Sequence, residues 1–96
     1  MEKNKVMVLA GIFAVSNMGQ PRPGVNLIRR AIGVKDWGSP RNLAIYFAEP
    51  YMETDEHEDI FTKEVKMWIK MLSKMTEEEL EKKHPDIAKL YNEANT

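Results

Sequence analysis

The 96-residue sequence is 43% apolar and 30% charged, with 14 basic against 15 acidic side chains. That is enough apolar material for one small domain and too much for a disordered tail. A net charge of -1 gives no global attraction to nucleic acid or anionic membrane, and with no cysteine, disulfides, thiolate metal sites and a cysteine nucleophile are excluded.

Residues 6–15 form a continuous apolar run, Val-Met-Val-Leu-Ala-Gly-Ile-Phe-Ala-Val. Ten residues are too few to span a bilayer, which needs about 20. The β-branched Val6, Val8, Ile12 and Val15 favour a strand; the length of the run, with Ala10 and Ala14, favours a helix. Helix is the preferred reading, and since every face is apolar the element should be central. The segment also has the outline of a short signal peptide, with Lys3 and Lys5 before the apolar run and Ala14-Val15-Ser16 where a peptidase would cut. Sixteen residues is short for such a signal and Glu2 dilutes its basic start. A cytoplasmic chain is therefore expected, with export as the alternative.

Pro21 and Pro23 make residues 16–24 a loop. Residues 25–32 read as a short helix with Val25, Ile28 and Ile32 on one face. Gly33 stands where a helix would end in the left-handed conformation, and residues 34–38 read as a turn. Ser39-Pro40 is a helix start, Ser as N-cap and Pro at the first position. That helix should run to Glu49 and stop at Pro50. The alternation of Leu43, Ile45 and Phe47 with Ala44, Tyr46 and Ala48 leaves a strand as the alternative.

The strongest periodicity lies in residues 55–75. Phe61, Val65, Trp68, Leu72 and Met75 step by 4, 3, 4 and 3 residues, an amphipathic helix widened by Ile60, Ile69, Met67 and Met71. Lys63, Lys66, Lys70 and Lys74 take the opposite side. Thr54 is placed to cap, and Asp55, Glu56, Glu58 and Asp59 suit the positive end of the helix dipole. Thr76-Glu77-Glu78-Glu79 is a capping box that starts another helix. His84-Pro85 interrupts it near Lys83, and a last helix reaches about Ala94. The expected fold is mostly α, a single-domain bundle of about five helices. The alternative is α+β, with strands at 5–10 and 42–48.

Charge falls in blocks. Residues 21–48 carry Arg22, Arg29, Arg30, Lys35 and Arg41 against Asp36 alone, and residues 49–60 carry six carboxylates and no Lys or Arg. Glu53, Asp55, Glu56, Glu58 and Asp59 would offer oxygens to a hard cation, and His57 could join a transition metal, yet the cluster has no recognisable ligand spacing, and the helix dipole accounts for the acids. His57 and His84 read as surface side chains. Residues 33–39 have the glycine spacing of a phosphate loop, but Ser39-Pro40 stands where the lysine belongs. With no nucleophile, metal or nucleotide signature, the expectation is a binding protein without cofactor or catalytic residue.

The first candidate is a protein–protein interaction module, an assembly subunit or regulator. It would bind another protein or itself through Phe61, Val65, Trp68, Met71, Leu72 and Met75, with the acidic strip of Glu53, Asp55 and Glu56. The alternative is DNA binding by the helix-turn-helix-like segment 24–48. There Arg29, Arg30, Lys35 and Arg41 would meet phosphates, and Arg41 and Asn42 would reach base edges. Against it, the connector is longer than usual, and the second helix offers almost no polar residue beyond Asn42.

Overall fold

The computed structural model describes residues 1–51 and 55–96. Among them the chain is helical, without a strand: α1 (Lys3–Asn17), α2 (Val25–Gly33), α3 (Pro40–Ala48), α4 (Asp55–Ser73), α5 (Glu77–Lys83) and α6 (Pro85–Ala94). A single 3-10 turn, Glu49–Tyr51, carries Pro50. The mostly α reading therefore holds, with six helices rather than about five, and the strands proposed for 5–10 and 42–48 are helix. The envelope measures 37 × 26 × 26 Å.

α1 is the central helix. Val6 and every residue from Val8 to Val15 are buried, so the helix is enclosed on all sides. This settles the ambiguity of the apolar run, because a helix with no polar face is stable only when other elements surround it. α4 and α3 pack on α1 and on each other, and α2 and α6 close the remaining side. Gly11 makes the closest of these approaches possible. A Cβ built there would lie 2.3 Å from Cδ2 and 2.5 Å from Cε2 of Phe47, so the α3 ring rests on bare α1 backbone. The region with the outline of a signal peptide is thus the middle of the core. A cut after Ser16 would remove the helix on which the others pack. No helix among the described residues is long and apolar enough to cross a membrane.

The helix ends follow local chemistry, with one correction. The Ser39 hydroxyl accepts from the Asn42 amide, with Pro40 opening α3. Thr76 and Glu79 form both halves of the capping box at α5. Gly33, expected to end α2 in the left-handed region, instead lies within the helix, which terminates at an extended Val34. Only Gly19 (φ 78°) and Gly38 (φ 75°) adopt positive φ among the described residues. At Gly19 the amide of Gln20 donates to Val15 O and that of Gly19 to Ser16 O. This is the Schellman pair that satisfies the last carbonyls of α1. At Gly38 the amide donates to Asp36 Oδ1 at 2.8 Å, closing the turn before α3. The expected cap Thr54 lies outside the described residues.

Candidate partner interface

α4 has two apolar surfaces, and the sequence stripe corresponds to only one of them. Phe61, Val65 and Leu72 are fully enclosed in the core. They cannot touch a partner while the chain is folded, which corrects their expected role in binding. Trp68 and Met75 are half-buried against the same core. Trp68 stacks on Phe13 of α1, with ring centroids 4.3 Å apart and an interplanar angle of 12°. The face turned to water carries a second set. Ile60 is 49%, Met67 43% and Met71 46% exposed, the large apolar side chains most open to solvent among the described residues. At 100° per residue these three fall within about 40° of one another around the helix. Met71 is the one member of the sequence-derived set that lies on this open face. By spacing alone, Ile60 and Met67 only widen the stripe.

Charge surrounds this second stripe. Lys63, Lys66, Lys70 and Lys74 are exposed along its length, and none has an ion pair among the described residues. Glu64 lies beside it and accepts a hydrogen bond from Asn17 Nδ2. Glu56 and Asp59 are exposed at the N-terminal end of the helix. Glu58 is turned inward and pairs with Arg41 of α3. Of the proposed acidic strip, Glu53 and the side chain of Asp55 lie outside the described residues.

The basic segment does not assemble as a helix-turn-helix. That motif needs its two helices packed together. Here α2 packs on α6 and α1, while α3 packs between α1 and α4, and α2 and α3 make no close backbone approach. The Tyr46 hydroxyl, donating to Leu27 O at 3.1 Å, links them. Leu43, Ala44, Phe47 and Ala48 place one side of α3 in the core, while Arg41 and Asn42 stay exposed at its start. Its two expected readers are already engaged, Arg41 by Glu58 and Asn42 by the carbonyl of Trp37 at 2.9 Å. Arg29, Arg30 and Lys35 remain exposed, Arg29 donating to Asn26 Oδ1.

Neither histidine is a plain surface residue. His57 is half-buried and engaged with its surroundings. His84 is also half-buried, with its ring edge-on to Phe13 at 4.8 Å. Its backbone joins α5 to α6, since its amide donates to Leu80 O and its carbonyl accepts from the Ala88 amide. Sequence could not have found this, because the partners of His84 come from α1 and α4, far along the chain.

Two grooves stand out by size. One of about 580 Å³ lies along α5 and α6, lined by Glu81, Pro85, Lys89 and Glu93 among others. The other, about 500 Å³, lies between the start of α1 and the 35–40 turn, floored by Met7, Trp37 and Ile69. Neither is lined by a histidine; Ser16 and His84 share a smaller groove of about 280 Å³ with Phe13, Arg22 and Trp68. No group of three or more His, Asp or Glu side chains among the described residues is placed to hold a metal ion. Comparison with protein-family models, curated proteins and solved structures finds no match, so a functional reading rests on this chain's own surface.

Proposed function

We propose that the chain is a non-enzymatic interaction module, a small assembly subunit or regulator in the cytoplasm, and that its docking face is the solvent side of α4. One observation carries the reading: Ile60, Met67 and Met71 are aligned on the solvent side of a helix whose other apolar side is already satisfied by the core. Isolated exposed apolar residues need no explanation, but an aligned set bordered by charge is the anatomy of a contact surface. Two of the three are methionines, whose unbranched side chains adapt to a partner at little cost. Covering what remains exposed is worth on the order of 1 kcal/mol per side chain. The interaction is therefore of moderate strength and depends on the flanking charges for selectivity.

The DNA alternative is the weaker one. It would rest on Arg29, Arg30 and Lys35 without a reading helix, and three cations make few phosphate contacts.

The test compares affinity capture by the wild-type chain and by the Met67→Lys/Met71→Lys double variant, after circular dichroism and thermal melting have shown that both are folded. A stoichiometric partner held by the wild type and lost by the folded variant supports the docking face. Equal capture by both removes it.

A further inference from the structure

The apolar stripe of α4 has a charge pattern along it that can select an occupant. Exposed carboxylates, Glu56 and Asp59, stand at its N-terminal end, and the exposed Lys63, Lys66, Lys70 and Lys74 occupy the rest. A partner helix that matches must present the reverse order, lysines against Glu56 and carboxylate against Lys70. α4 run antiparallel to itself has that order. We infer that the docking face takes a second copy of this chain, with the two α4 helices packed antiparallel about a two-fold axis. The inference rests on the docking-face reading and commits it to self-association.

The register follows from the same residues. In a two-fold antiparallel helix pair, residues facing one another have a constant sum of numbers. With Ile60 over the second copy's Met67, the axis falls between Lys63 and Glu64. Each Lys63 then faces the second copy's Glu64, and each Glu56 lies beside the second copy's Lys70. Met71 fits one turn along from the second copy's Ile60, so all three exposed apolar side chains are covered. Setting Met67 on Met67 puts Ile60 opposite Lys74 and Glu56 opposite Glu78, both beyond the end of α4 at Ser73, so it leaves Ile60 uncovered and Glu56 unpaired. A parallel pairing puts like charge over like charge at every level, which repulsion disfavours. The contact is isologous, so it closes at two copies.

A seam of one helix is smaller than the roughly 800 Å² per partner of a stable interface, so a weak, reversible dimer is expected. Sedimentation equilibrium of the full chain from about 10 μM to about 1 mM should show a monomer–dimer equilibrium, with a dissociation constant in that range. Met67→Lys should weaken it by at least about tenfold. Glu56→Lys and Lys70→Glu should each weaken it by about threefold to tenfold, because the symmetry breaks the pair twice. The double variant Glu56→Lys/Lys70→Glu should return to within about twofold of wild type. The rescue is diagnostic. Within one chain, residues 56 and 70 are about 21 Å apart along the helix, beyond the screening length of about 10 Å at moderate salt. Restoration can then arise only between copies.

A chain that stays monomeric to about 1 mM overturns the inference. So does a dimer indifferent to Met67→Lys, and so does a pair of charge variants whose combination fails to recover. A monomeric wild type whose capture of another protein is still abolished by the folded Met67→Lys/Met71→Lys variant overturns self-pairing while keeping the docking face. Loss of both self-association and capture sensitivity overturns the two readings together.

Discussion

α1 and α4 are both rich in apolar residues, yet they meet water in opposite ways. α1 hides its residues on every side, from Val6 and Val8 through Val15, and its polar groups gather at its ends. α4 gives Phe61, Val65 and Leu72 to the core and leaves Ile60, Met67 and Met71 in solvent. A small chain has one core and can fully enclose one helix. The long helix beside it is covered on one side only, and what it keeps on the other side is available for contact.

The difference can be broken from either side, and the largest effects should lie on α1. Leu9 is wholly buried in the central helix. Leu9→Ala should cost about 2–5 kcal/mol, read by urea or thermal unfolding, since neighbours on all sides cannot collapse into the space. A loss below about 1 kcal/mol would mean that α1 is not the enclosed centre of the fold.

Gly11→Ala comes next. In an open helix this change stabilises by up to about 1 kcal/mol. Here the new methyl would fall on the buried Phe47 ring, and overpacking costs typically about 1–3 kcal/mol. Net destabilisation is expected, with Phe47→Leu in the same chain recovering part of it. A stabilised Gly11→Ala would mean that α3 does not approach α1 so closely.

On α4 the same kind of measurement should give almost nothing. Met67→Lys/Met71→Lys alters side chains already in water, and stability should change by no more than about 0.5 kcal/mol. A loss comparable to that of Leu9→Ala would place these residues in a core and end their candidacy as a docking face.

The smallest effect concerns the link from α1 to α5. Lys5 Nζ lies 3.0 Å from Glu77 Oε1 and 5.0 Å from the centre of the Tyr91 ring. The hydrogen bond from Lys5, with its charge, holds the Glu77 carboxyl below its usual range. A carboxyl depressed in the folded state adds stability above its unfolded pKa, and that contribution is lost as pH falls through the folded value. The melting-temperature gap between wild type and Glu77→Gln should therefore be small near neutrality and close as pH drops below about 4. A gap that widens in acid would contradict the pair. Tyr91 responds in the opposite sense. Burial, aided by Glu2 and Glu77, raises its phenol. Its contribution is present below the ordinary tyrosine pKa of about 10 and is lost as pH rises through the folded value.

Much of the local architecture was legible in the sequence because its signals act over a few residues. Ser39-Pro40 announced α3, Thr76 with Glu79 announced α5, and the 4-3-4-3 spacing from Phe61 to Met75 announced α4. Other features depended on partners far along the chain. The Schellman turn at Gly19 was read as loop, while Gly33, a stop by residue type, lies inside a helix. Arg41 and Asn42 read as groove contacts until Glu58 and the Trp37 carbonyl took them. His84 read as surface, although its ring packs edge-on to Phe13 and Trp68.

The candidate docking face shows the same division. Periodicity established that residues 55–75 form an amphipathic helix, because backbone geometry repeats every 3.6 residues whatever surrounds it. It could not distinguish the apolar side chains that face α1 from those that face water. That depends on how many helices one small core can bring against α4, a matter of packing among residues far apart in sequence. The sequence alone determined the helices and most of their ends. Tertiary structure decided that Phe61, Val65 and Leu72 belong to the inside and that Ile60, Met67 and Met71 are left free.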